Sequence, residues 1–154
     1  KSHMEKILSY IDLAKNEGGK ILCGGKQVKP EGRCENGYFI QPTVIDGLNE
    51  TCRTNQEEIF GPVVSIIPFD DDEDALRMAN STPYGLSATI WTENLKRAHR
   101  MAHKLESGII WINCWLLRDL RTPFGGMKQS GMGREGGFEA LKFFTEEKNI
   151  CVKL

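Results

Sequence analysis

Several patterns that would assign the chain to a broad class are missing from its 154 residues. The five cysteines, Cys23, Cys34, Cys52, Cys114 and Cys151, form an odd set with no C-x-x-C pair. That excludes a simple disulfide framework and the usual zinc spacings, and leaves reduced thiols as the expectation. No long hydrophobic run exists: Val63–Phe69 and Ile109–Leu117 fall far short of the roughly 20 residues a membrane span needs. Neither sign of charge dominates, with 20 Lys and Arg against 21 Asp and Glu, a formal charge of -1 and no basic cluster interleaved with aromatics. A nucleic-acid footprint is therefore absent. His99 and His103 stand four apart, but Arg100 occupies the place of the glutamate in H-E-x-x-H and no third ligand is evident, so no metal is expected. These absences point to a cytoplasmic chain that acts on neither membrane nor nucleic acid. Position 1 is lysine, and Ser2-His3-Met4 reads either as an expression scar or as natural sequence.

What is present is a globular composition, 40% apolar and 27% charged, enough for one compact domain. Ile7, Leu8, Ile11 and Ala14 recur at helical spacing and Gly18-Gly19 supply a stop, which predicts a helix over Glu5–Asn16. A short strand at Lys20–Cys23 follows, then a loop rich in Pro and Gly, then an extended run from Tyr38 to Ile45. From Val63 the pattern reads strand, acidic cap and helix to Asn80, strand over Leu86–Trp91, helix over Glu93–Leu105, and strand over Ile109–Ile112. Near-continuous apolar strands alternating with amphipathic helices predict an α/β fold with a parallel sheet and right-handed crossovers. A long connection, Cys114–Gly136, leads to a short helix over Gly137–Phe144 and a last strand over Lys148–Leu154.

Within that connection Gly131–Gly136 reads GMGREG, a literal match to the dinucleotide pattern G-x-G-x-x-G. The glycines of that pattern serve a phosphate only when a strand runs into the turn. Here Pro123 and two glycines precede it, which is turn chemistry.

The ordered motifs EEIFGPV at Glu57–Val63, YGL at Tyr84–Leu86, WIN at Trp111–Asn113, PFGG at Pro123–Gly126 and SGMGRE at Ser130–Glu135 resemble the NAD(P)-dependent aldehyde dehydrogenase superfamily nearly end to end. The opening KSHMEK is similar to the family's own helix start. The resemblance implies a C-terminal part of a longer enzyme, with residues 1–144 a segment of its catalytic domain and 145–154 an oligomerisation strand. In such an enzyme a cysteine thiolate attacks the aldehyde, hydride passes to the cofactor, and a glutamate base hydrolyses the thioester. On the resemblance the nucleophile and the base both lie upstream of this chain, so it holds no catalytic residue, and Cys114 is a packing cysteine. The same resemblance moves GMGREG away from phosphate binding, to a turn region where glycine permits unusual dihedrals.

The resemblance implies two groups of binding residues. Glu58 matches the carboxylate that accepts from the nicotinamide ribose hydroxyls, and Phe60 the ring beside the nicotinamide, with NAD preferred to NADP as cofactor. Arg118, Arg121 and Phe124 fall in the loop that lines the aldehyde pocket. The run WLLRDLR at Trp115–Arg121 resembles the branch acting on 2-hydroxymuconic and 2-aminomuconic semialdehydes. Those substrates carry a carboxylate that a guanidinium can hold bidentately. Arg118 best matches the pocket position, Phe124 an apolar wall, and Arg121 either shares the task, pairs with Asp119 or faces solvent. Salt bridges within the protein are the alternative role for both arginines. The implied assembly is a homodimer or homotetramer; the competing reading is a truncated, non-catalytic protein that assembles through its last strand.

Overall fold

Helical spacing of Ile7, Ile11 and Ala14 puts all three on one buried stripe of the first helix. In the computed structural model, which describes all 154 residues, that helix (α1) spans Ser2–Asn16. Glu5 in its first turn and Lys15 in its last complement the helix dipole. The chain forms two compact units, Lys1–Thr82 and Pro83–Leu154. Each strand ladder closes within one of these units.

In the first unit, β1 (Lys20–Cys23), β4 (Thr43–Asp46) and β5 (Val63–Ile66) form a sheet in the order β1-β4-β5. β4 and β5 run parallel, with Thr43 opposite Val63 and Asp46 opposite Ile66. β1 runs antiparallel to β4 and shifts register between Ile21 and Cys23. The sheet is therefore mixed, not purely parallel. Between β1 and β4, β2 (Gln27–Val28) and β3 (Phe39–Ile40) pair antiparallel around a 3-10 turn at Gly32–Cys34. The extended run from Tyr38 is split because Pro42 has no N–H to give a ladder, so β3 pairs with β2 and β4 with other partners. Ala14, Ile45 and Leu48 form the core, with Ile21, Cys52 and Val63 packed around them. The helix α2 (Arg53–Gln56) is tied down by Glu17, whose carboxylate accepts from Arg53 N, Thr54 N and Thr54 Oγ1. The acidic cap works as read: Asp71 accepts from Glu73 N and Asp74 N at the start of α3 (Asp72–Asn80), which buries Leu76.

In the second unit, β7 (Ser87–Ile90) and β8 (Ile109–Ile112) are parallel and joined by α4 (Leu95–Lys104), the expected β-α-β crossover. Asn94 caps α4 through Arg97 N, and Ala98 is its buried residue. A second, antiparallel pair joins β6 (Tyr84–Gly85) to β9 (Met127–Lys128). The last helix, α5 (Gly137–Phe144), buries none of its residues. Residues 145–154 form no element, and the strand expected over Lys148–Leu154 is absent from this chain. A strand exists by pairing, and here its exposed Ile150, Val152 and Leu154 meet no ladder.

Candidate functional site

The EEIFGPV segment follows α2 and presses against α1. A Cβ at Gly61 would lie 2.6 Å from Ile7 Cδ1, so only glycine lets the segment come this close. Three side chains of α1 then hold it. Tyr10 Oη donates to Glu57 Oε2 at 2.6 Å, Lys6 Nζ donates to the Glu58 carbonyl at 3.0 Å, and His3 Nε2 donates to the Phe60 carbonyl at 2.7 Å. The carbonyl can only accept, which places the proton of His3 on Nε2. Arg53 completes the clamp with Nε on Glu57 Oε1 at 2.7 Å and Nη2 on Oε2 at 3.1 Å. This guanidinium first, and the Tyr10 hydroxyl second, lower the Glu57 carboxyl to a pKa of about 2.

Glu57 is thus consumed by structure, while Glu58 is engaged only through its backbone. The Glu58 carboxylate is exposed and has no intramolecular partner. Phe60 adopts φ 58, a left-handed conformation unusual for a bulky residue, and its ring is 72% exposed, touching His3 edge-on at 6.0 Å. Strain of this kind persists where neighbours over-determine the backbone, and the His3 bond to the Phe60 carbonyl is one such constraint.

The second group lies in the second unit. Trp111 is buried on β8; its Nε1 donates to the Leu117 carbonyl at 2.8 Å, and its ring meets Trp115 edge-on at 5.2 Å. These contacts anchor the start of the loop, where Leu116 also has a positive φ, 56. Just beyond the anchor, Arg118 lays its guanidinium over the Phe124 ring, with Cζ 4.0 Å from the centroid, and donates from Nη2 to Glu135 Oε1 at 2.7 Å. Phe124 and Glu135 are joined by reciprocal backbone bonds of 2.8 and 2.7 Å. The structure brings Arg118 and Phe124 together, with Glu135 as a third member that sequence spacing gave no means to find. Arg121 goes elsewhere. Its Nε donates to both oxygens of Asp119, at 2.9 and 3.1 Å, and its side chain is 88% exposed. This pair holds the Asp119 carboxyl below its ordinary range and raises Arg121. Arg121 thus both pairs with Asp119 and faces solvent in this structure.

GMGREG lies between β9 and α5, but β9 is a two-residue antiparallel strand that ends two residues before the motif, not the parallel strand that runs into a nucleotide turn. Gly131, Gly133 and Gly136 have φ 155, 75 and 91, and a Cβ at Gly136 would lie 2.5 Å from the Thr122 carbonyl. Gly136 lets the segment pack against the loop that carries Arg118, whereas a Cβ at Gly133 would meet nothing within 4 Å and that position favours glycine for its dihedral alone. Arg134 reinforces the arrangement through Nη1 to the Gly126 and Gly133 carbonyls, at 2.9 and 2.7 Å.

The five cysteines are free thiols. Burial raises the Cys52 thiol above its ordinary value, and the nearby Glu17 carboxylate acts in the same direction, the reverse of what activates a nucleophile.

The aldehyde dehydrogenase family matches residues 1–150. The 2-hydroxymuconic semialdehyde dehydrogenase of Pseudomonas sp. (strain CF600) is 55% identical over 152 residues, 99% of this chain and 31% of that protein. The human 2-aminomuconic semialdehyde dehydrogenase is 48% identical over 155 residues, again 99% of this chain and 32% of that protein. Among solved structures, P. syringae indole-3-acetaldehyde dehydrogenase in complex with NAD+ and IAA superposes with a TM-score of 0.92 at 43% identity, covering 100% of this chain and 30% of that one. The chain spans about a third of the length of the relatives it matches. By sequence match over nearly its whole length and by fold, the chain belongs to the aldehyde dehydrogenase family.

Proposed function

We propose that this chain supplies part of the cofactor site and the carboxylate-recognising loop of an NAD-dependent dehydrogenase that oxidises an acidic semialdehyde, of the 2-hydroxymuconic or 2-aminomuconic type, to the acid. The observation that carries the reading is Arg118, stacked on Phe124 with one nitrogen on Glu135 and its other N–H groups without an intramolecular acceptor. A guanidinium oriented in this way offers a planar fork to a substrate carboxylate. The names of the relatives support the same substrate class.

The residues at Glu58 and Phe60 fit a nicotinamide nucleotide. An unpartnered carboxylate can accept from both hydroxyls of a ribose diol, and an exposed ring turned out by a left-handed backbone can lie beside a planar heterocycle. NAD+, when bound, supplies the hydride acceptor. Glu58 holds the ribose hydroxyls, Phe60 limits the tilt of the ring, and the α1 clamp keeps both side chains from drifting. NAD+ complexes among the similar structures favour NAD over NADP. The thiolate nucleophile and the glutamate base belong, on this proposal, to a region outside these residues.

Assembly into a homodimer or homotetramer is part of the same proposal. Exposed Phe138, Leu141, Phe143 and Phe144 on α5, followed by exposed Ile150 and Val152, form an apolar surface that a second subunit would cover, with 148–154 pairing as a strand there.

The test is the ratio of kcat/KM for an acidic semialdehyde to that for an uncharged aldehyde of equal length, measured in a full-length enzyme carrying this segment. Arg118→Ala lowers the ratio if Arg118 holds the carboxylate. An unmoved ratio removes the acidic substrate class and leaves the dehydrogenase family intact.

A further inference from the structure

We infer that Glu135 is the positioning residue for Arg118 and thereby sets how strongly the loop selects a carboxylate-bearing aldehyde; this rests on the reading of Arg118 given above. Arginine is a long side chain with many rotamers, and here it projects from a loop stretch outside any strand or helix. Left alone it would sample many directions, and a substrate carboxylate would have to order it on binding. Two contacts remove that freedom. The Phe124 ring supports the face of the guanidinium at 4.0 Å, and Glu135 Oε1 fixes Nη2 at 2.7 Å.

Both supports are themselves fixed, and to each other. The reciprocal backbone bonds between Phe124 and Glu135 make a small antiparallel bridge. On either side of Glu135, Arg134 is tied to two carbonyls and Gly136 sits against the Thr122 carbonyl where no side chain fits. A face support and an edge support on one rigid bridge define the plane and the rotation of the guanidinium together. The opposite edge stays available for a planar anion.

Glu135 also brings negative charge close to the proposed anion site. Its side chain is 64% exposed, so solvent and salt screen that charge, whereas the hydrogen bond that orients Arg118 is short-range and local. Positioning outweighs repulsion, and Glu135 favours the acidic substrate. Side chains that keep the acceptor but lose the charge should work, and those that lose the reach should not.

The experiment measures the acidic-to-neutral kcat/KM ratio in the full-length enzyme for Glu135→Ala, Glu135→Gln, Glu135→Asp, Arg118→Ala and the Glu135→Ala/Arg118→Ala pair. The Ala variant is expected to lower the ratio about tenfold, chiefly through KM of the acidic substrate. Gln should restore it to within about threefold of the parent, because its amide oxygen still accepts from Nη2. Asp, one methylene short, should behave like Ala and gives the answer should Ala not fold. In the Arg118→Ala background, loss of Glu135 should move the ratio no further, since a positioning residue has nothing left to position. A ratio that responds to Arg118→Ala but not to Glu135→Ala or Glu135→Asp overturns the role of Glu135 and leaves Arg118 in place. Equal falls in kcat for both substrates at an unchanged ratio make Glu135 a structural residue and overturn the role in the same way. A ratio unmoved by Arg118→Ala itself overturns the carboxylate reading, and this inference with it.

Discussion

The segment Glu57–Gly61 and the loop Trp115–Phe124 solve the same problem, presenting side chains to a ligand, in opposite ways. In the first, the protein grips the backbone. Lys6 and His3 take the carbonyls of Glu58 and Phe60, Tyr10 and Arg53 take the Glu57 carboxylate, and the presented side chains make no hydrogen bond or ion pair of their own. In the second, the protein grips the presented side chain, laying Arg118 on Phe124 and tying it to Glu135. A rigid backbone suffices for a short carboxylate or a ring with few torsions. A guanidinium at the end of a flexible chain has to be fixed at its tip.

The comparison breaks most completely if either cluster turns out to carry chemistry by itself. Neither contains a cysteine, and burial pushes the Cys52 thiol upward. The 154-residue chain alone should therefore form no NADH from any aldehyde. Activity proportional to its concentration, and lost on changing one of its own cysteines, would contradict this.

Next in size is Arg118→Ala in the full-length enzyme. Loss of charge-assisted hydrogen bonds to a carboxylate costs roughly 1.5–3 kcal/mol, or about ten- to a hundredfold in kcat/KM on the acidic substrate. An uncharged aldehyde of similar length should lose little, because no anion then depends on the guanidinium. Arg121→Ala sharpens the contrast: its partner is Asp119 at two residues' distance on an exposed turn, so the substrate ratio should stay put.

That difference between the arginines also shows what could be read from sequence. The Asp119–Arg121 pair is local and was open to inspection as one of the roles for Arg121. The Arg118–Glu135 pair is separated by 17 positions and depends on the bridge between Phe124 and Glu135, which no local pattern encodes. The same division runs through the fold. The helices α1, α3 and α4 were legible because apolar spacing and caps such as Asp71 are local. The antiparallel pairing of β1 with β4 was not, since strand periodicity carries no record of partner or direction. The run Tyr38–Ile45 reads as one extended stretch, whereas Pro42 splits it into halves that join different ladders. The strand expected at 148–154 shows the limit most plainly: its composition fits a strand, and pairing decides whether one forms.

A smaller effect is expected at the cofactor cluster. Glu58→Gln keeps an acceptor oxygen but removes its charge, so the Kd for NAD+ should rise by roughly three- to tenfold in the full-length enzyme. Replacing both His3 and Lys6 by alanine should raise that Kd less, while increasing amide exchange across residues 57–61, because it loosens the backbone and leaves the presented groups intact. If the double variant matches Glu58→Gln in Kd without faster exchange, the backbone-grip description of this segment is wrong.

The smallest expected effect isolates the Glu57 clamp. The Glu57 carboxyl titrates at about 2 when folded, against 4.5 ordinarily, because Arg53 and Tyr10 stabilise its anion. A folded pKa lowered in this way adds stability that is fully present above pH 4.5 and is lost as the pH falls through about 2. Removing the Tyr10 hydroxyl with Tyr10→Phe takes away one donor and raises the folded pKa toward its ordinary value. The variant should melt below the parent at pH 7, with the gap narrowing from pH 4.5 downward and closing near pH 2. Glu17, Glu50 and Asp74 are also lowered by their partners and destabilise both proteins in acid, so the difference between the two melting curves is the quantity to follow. A gap that stays constant across this range would mean that the Tyr10 hydroxyl stabilises the fold independently of the Glu57 charge, and that Arg53 alone holds the Glu57 anion.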